Sequence, residues 1–117
     1  MGKRIAIVGS RGFPNLDQVH EYVRSLPPDT IIISGGARGV DRAAEYEAKR
    51  IGLKTQIFLP DWEHFGRSAG FRRNETIVAN ADELVAFWDG QSRGTLHSIG
   101  LARARGIPVR IYGPTEP

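Results

Sequence analysis

Five short apolar runs alternate with segments of helical periodicity, and this alternation constrains the fold more than any other feature of the 117-residue chain. The runs are RIAIVG (4–9), TIIISG (30–35), KTQIFLP (54–60), ELVAFWD (83–89) and IPVRIY (107–112). Residues 31–33 and 84–88 are almost wholly apolar, as strands of a parallel sheet covered on both faces must be. Between the runs, Leu16, Val19, Val23 and Leu26 keep the spacing of one helix face, with Asn15 as N-cap and Pro27-Pro28 as terminator. Val40, Ala44, Ala48 and Ile51 repeat the pattern up to Gly52. A third helix is expected at roughly 69–80, with Asn74, Ile77, Val78 and Ala81 on one side. A fourth, at 94–105, carries Leu96, Ile99 and Ala102 and ends at Gly106. Strands and helices in this order build βαβ units. The expected fold is therefore α/β, a single Rossmann-like three-layer domain over residues 1–113 with a flexible tail at 114–117. Its five-stranded parallel sheet is expected in the order 3-2-1-4-5 rather than 2-1-3-4-5, a choice that periodicity alone does not fix.

Three of the strand-like runs lead into similar wording: GSRG at 9–12, SGGARG at 34–39 and QSRG at 91–94. In an open α/β sheet these loops lie at the carboxyl edge, where ligands bind at the point of strand-order reversal. Glycine lets backbone approach a ligand closely, helix N-termini favour anions, and arginine adds a two-pronged contact to phosphate. Convergence of all three on one edge points to a phosphate-bearing ligand. The candidate contacts are Gly9, Ser10, Arg11, Gly12, Gly35, Gly36, Arg38, Gly39, Ser92, Gly94 and Thr95. Neither G-x-G-x-x-G nor the Gly-Lys-Ser/Thr of a P-loop is present, so no dinucleotide or ATPase site and no cofactor is expected.

Three further features bear on the same edge. Asn74 falls on the apolar stripe of the third helix, where a polar side chain needs a partner; with Arg72 or Arg73 it is expected to reach a phosphate or ribose. Asp41 opens the second helix, where the helix dipole favours an acid, and Asp89 ends an apolar strand at the crevice. Asp89 is placed to bond ribose hydroxyls or to polarise a water. Trp62 and Phe65 lie in what reads as a long loop, DWEHFGRS, packed down or forming a dimer contact more readily than stacking on a base.

Charge and composition narrow the class. Of 16 basic residues only Lys3, Lys49 and Lys54 are lysines, so arginine dominates a chain of formal net charge +3. With no cysteine, disulfides and thiolate metal sites are excluded. His20, His64 and His97 share no spacing, so no metal site is expected. No run nears the ~20 apolar residues of a membrane span, and the N-terminal run is too short for a signal peptide. A cytoplasmic protein is expected, with no membrane partner and a homodimer or higher oligomer allowed.

At IAIVGSRGF, SGGARGVDRAAEYEA and FRRNETIVANADELVAFWDGQSRGT the chain resembles the SLOG superfamily, which joins DNA-processing protein A (Smf) with the Lonely guy proteins. The small standalone YspA-like branch is the best fit, and the likeness runs over nearly the whole chain. It implies a nucleotide or nucleotide-derived ligand at the crevice, held through Gly9, Ser10, Gly35, Gly36, Arg73, Gly94 and Thr95. Lonely guy enzymes release the base from nucleoside 5′-monophosphates with an Arg and a Glu of a PGGxGTxxE signature. Here that stretch reads DGQSRGTLHS: Gly94-Thr95 keep the GT, Arg73 matches the basic partner, and Ser98 stands at the glutamate position. The first expectation is thus a sensor or carrier of a nucleotide-like small molecule. The alternatives are a phosphoribohydrolase using Arg73 with Asp89 as a relocated acid, and a single-stranded nucleic-acid binder using Arg11, Arg38, Arg72, Arg73 and Arg93, with Phe13 and Trp62 as aromatics beside the groove.

Overall fold

The computed structural model describes residues 2–114; residues 115–117 of the expected tail lie outside the described residues. The chain forms β1 (Arg4–Gly9), α1 (Leu16–Arg24), β2 (Ile31–Ser34), α2 (Val40–Ile51), β3 (Lys54–Ile57), α3 (Trp62–Phe65), α4 (Ala69–Ala79), β4 (Glu83–Phe87), α5 (Arg93–Arg105) and β5 (Val109–Tyr112). All four strand pairs are parallel and the order is β3-β2-β1-β4-β5, as expected from the sequence. The expected loop at DWEHFGRS differs: it holds α3 and a single 3₁₀ turn, Gly66–Ser68. Asp61 caps α3 by accepting from the His64 N–H at 3.2 Å.

Alternation along the strands sends side chains to two cores. Ile5, Ile7, Ile32, Val85 and Phe87 pack with Val19 and Val23 of α1 and Val40, Ala44 and Ala48 of α2. Ala6, Val8, Ile33, Leu84 and Ala86 pack with Ile77 and Val78 of α4 and Ile99 and Ala102 of α5. Full burial of each large aliphatic, such as Ile7 or Ile33, contributes about 1.5–3 kcal/mol. Asn15 caps α1 by accepting from the Gln18 N–H. Because α1 and α5 lie on opposite faces, the chain leaves β1 and β4 in opposite directions, and a crevice opens between them at the carboxyl edge. No helix among the described residues is long and apolar enough to cross a membrane.

Candidate nucleotide-binding cleft

Two adjoining cavities occupy that edge. The inner one, about 450 Å³, lies between the loops that follow β1 and β4 and is bounded by Gly9, Ser10, Gly12, Asp41, Asp89, Ser92 and Thr95. The outer one, about 560 Å³, lies between the loop after β2 and the α3–α4 segment. Arg11, Ala37, Arg73, Asn74 and Gly94 line both.

Arg73 is the hub of the shared wall. Its Nη1 donates to the Gly35 carbonyl at 2.6 Å and its Nε to Asn74 Oδ1 at 3.0 Å. A Cβ at Gly35 would stand 2.5 Å from Nη1, so only glycine leaves room for the guanidinium. Burial lowers the Arg73 pKa, and the charge of Asp41 opposes that shift. Asp41 is 6% exposed, and its Oδ2 accepts from the Ala37 N–H at 3.1 Å. Burial raises its pKa to about 6, against the pull of the Ala37 N–H and of Arg73. Asn74 Nδ2 lies 3.4 Å from the Gly94 carbonyl, to which it donates, and 3.3 Å from His97 Nδ1. The polar residue on the apolar stripe thus ties α4 to α5 while facing both cavities.

The loops are held largely by their own side chains. Glu45 Oε2 accepts from Ser34 Oγ at 2.6 Å and from the Gly36 N–H at 3.1 Å. Two N–H groups of the glycine-rich loop are therefore engaged by Glu45 and Asp41, which leaves Arg38 as the loop's charged group facing the cleft. Ser10 Oγ accepts from the Asp89 N–H at 3.1 Å, and Asp89 Oδ1 accepts from the Gln91 and Ser92 N–H groups at 2.8 and 2.9 Å. Those backbone donors, Gln91 first, hold the Asp89 carboxyl below its ordinary pKa. Ser92 caps α5 through the Thr95 N–H, and the first turn of α5 reaches both cavities through Gly94. Gly9 is small for packing: a Cβ there would lie 2.5 Å from Val40 Cγ2.

The arginines separate into two groups. Arg24 and Arg50 both pair with the buried Glu47, and Arg4 bonds the Asn80 carbonyl and Gln56. Among the described residues, Arg11, Arg38 and Arg67 make no side-chain hydrogen bond or ion pair, and all three line the outer cavity. Arg72 is directed elsewhere: it lies over the Phe65 ring at 4.5 Å, donates to Ser68 Oγ, and lines neither cavity. Arg93 is exposed at the start of α5 and also lines neither. Phe13, read from the sequence as an aromatic beside the groove, is 3% exposed and packs edge-on against Phe87 in the core. Its apolar neighbours in the fold claim it because a buried ring gains more from contact than an exposed one. Gly39, with φ +83°, closes the glycine-rich loop against the Arg11 carbonyl and lines neither cavity. Sequence reasoning missed Arg42, Leu59, Arg67 and Phe71 on the outer wall and Glu45 behind the loop. Only Glu45 left a signal, standing four residues after Asp41 on the same helix face. Among the described residues, no three His, Asp or Glu side chains gather into a metal-sized cluster.

The family model described as DNA recombination-mediator protein A matches residues 1–63, just over half of the chain. Gene 61 protein of Mycobacterium phage D29 is 33% identical over 121 aligned positions, which cover 95% of this chain and 97% of that protein. DNA processing protein A (DprA) from Streptococcus pneumoniae superposes with a TM-score of 0.83 at 20% identity, over 94% of this chain and 50% of that one. DNA processing protein A from Helicobacter pylori, described for its single-stranded DNA binding mode, superposes with a TM-score of 0.69 at 21% identity. That match covers 93% of this chain and 64% of the Helicobacter chain. The chain thus spans half of the one solved structure and 64% of the other, and the likeness to both is one of fold.

Proposed function

The chain belongs to the DNA recombination-mediator protein A family, and from that premise we propose that its cationic cleft binds single-stranded nucleic acid through the phosphates. The observation that carries this reading is the set of unpaired guanidiniums, Arg11, Arg38 and Arg67, grouped with Arg73 around one open cavity. Arginine forks suit phosphate oxygens, and contacts to phosphate carry no base information, so binding is expected to tolerate sequence. The single-stranded DNA binding mode described for the Helicobacter protein supports the same reading. Anisotropy of labelled oligothymidylates tests it. Affinity should rise with length over several nucleotides and fall with salt, with a logarithmic slope of about −2 to −3 for three or four phosphate contacts. Arg73→Ala should weaken an oligomer by roughly 10- to 150-fold, the range for a lost charge-assisted bond. Salt-independent binding, or equal affinity for an uncharged backbone analogue, would count against the proposal.

A second reading has its own support. The inner cavity, bounded by the hydroxyls of Ser10, Ser92 and Thr95 and by Asp89, has the volume of a small-molecule site. It suits one free nucleotide or nucleotide-derived ligand, carried or sensed. The length series separates the two: affinity that reaches its full value with a mononucleotide favours the small ligand.

A further inference from the structure

The outer cavity has an apolar wall that phosphate contacts leave unused. Leu59, Trp62 and Phe71 line it at 70%, 57% and 49% exposure. Their neighbours hold these side chains in place. Leu59 lies over Gly36, where a Cβ would stand 2.7 Å from its Cδ2, and the Trp62 ring tip rests 3.8 Å from the Cβ position of Gly70. Phe71 packs against His97 with ring centroids 4.4 Å apart and the planes tilted by 51°, and Arg72 covers Phe65. Among the described aromatic residues of this segment, Trp62 alone has neither a ring nor a guanidinium against it.

The same cavity is lined by Arg11, Arg38, Arg42, Arg67 and Arg73 and by no carboxylate. An apolar occupant would leave that charge unmatched, and a second copy of this basic surface would be repelled. An occupant with a flat aromatic part joined to a phosphate answers both walls. We propose that the outer cavity is a nucleobase subsite in which Trp62 is the stacking platform, with the flanking phosphate held by the arginines. Every base has a π-face, so the subsite takes any of them. The inference rests on the reading that the cleft binds a nucleic-acid strand.

The experiment compares an eight-nucleotide oligothymidylate with an abasic phosphodiester strand of equal length, on the unaltered protein, Trp62→Ala and Trp62→Phe. The unaltered protein should favour the oligothymidylate. Trp62→Ala should weaken that strand by about 5- to 150-fold, the span of base–aromatic stacking, and leave the abasic strand within about twofold. Trp62→Phe should keep most of the affinity. Oligothymidylate should also quench tryptophan emission in the unaltered protein and not in Trp62→Ala, which retains Trp88. Unchanged thermal midpoints confirm that both variants fold, as expected for so exposed a side chain. Equal affinity of the unaltered protein for both strands overturns the base subsite and leaves strand binding standing. Equal losses for both strands in Trp62→Ala, or no loss for either, overturn it as well. Binding of neither strand overturns this inference and the reading beneath it together.

Discussion

At Asp41 a carboxyl group sits buried beside the Arg73 guanidinium, and burial moves its pKa from 3.8 to about 6. An acid with a raised pKa holds more protons folded than unfolded. Stability therefore falls as pH climbs from about 4 to about 6, and the deficit persists above that window. At 1.36 kcal/mol per unit it comes to about 3 kcal/mol at neutral pH. Asp41→Asn keeps an acceptor for the Ala37 N–H and removes the charge. Urea unfolding should show a gain that grows between about pH 4 and pH 6 and approaches ~3 kcal/mol above pH 7. The same substitution frees the Arg73 charge, so oligonucleotide affinity at neutral pH should rise, and that of the unaltered protein should rise as pH falls below 6. Asp89 is a different kind of acid: its Oδ1 orders the turn into α5, and Ser98, at the position of the Lonely guy glutamate, donates to the Gly94 carbonyl. Geometry loose by about 1 Å can slow a reaction by on the order of a hundredfold. We therefore expect chromatography to find no base released from nucleoside 5′-monophosphates; release abolished by Asp89→Asn would make the cleft a hydrolase site. The sequence already singled out Asp41, Asp89 and the Arg72-Arg73 pair. It left open which arginine enters the cleft, because adjacent helix positions diverge by about 100° and only the packed helix decides which points inward.

The loop between β2 and α2 carries two glycines with different duties, and substitution should separate them. Gly39 has φ +83° and a Cβ there would lie 2.6 Å from the Arg11 carbonyl oxygen. Gly39→Ala is strained by its backbone alone and should destabilise the fold by roughly 1–3 kcal/mol in thermal or urea unfolding. At Gly35 the added carbon would lie 2.5 Å from Arg73 Nη1 and 3.1 Å from Asp41 Oδ2, so Gly35→Ala should push the guanidinium off the Gly35 carbonyl, costing less stability than Gly39→Ala and losing affinity for oligonucleotides. Helices α1, α2 and α4 were legible because each shows an apolar face over at least two turns; on α5 the expected Leu96 is exposed, and Thr95 and Ser98 are buried beside Ile99 and Ala102 instead. The four-residue α3 shows no period, and its signal is Asp61 accepting from the His64 N–H. The outer wall was the least legible part of the cleft, since Leu59, Trp62, Arg67 and Phe71 meet across a connection that no sequence period describes.

For the molecule as a whole, the sheet order follows from chain geometry. In the order β3-β2-β1-β4-β5 the central strand is β1, flanked by β2 and β4, and Ile5 to Gly9 pair with Glu83 to Phe87 in register. Phe87 is fully buried there, with Tyr112 stacked at 5.2 Å and Phe13 at 5.7 Å. Phe87→Ala should lower unfolding stability by about 3–5 kcal/mol, as measured in urea, and more than any substitution proposed for the cleft. What the sequence could not reveal was how unevenly the cations are spread. Five guanidiniums line one cavity of a chain whose formal net charge is +3, so the remainder carries a slight negative excess. The protein is thus an electrical dipole with its positive end at the mouth of the cleft. An approaching polyanion feels a torque as well as an attraction, and the first collisions are already oriented ones. Association should be fast at low ionic strength and slow steeply as salt is added, with dissociation changing less, which stopped-flow mixing would resolve.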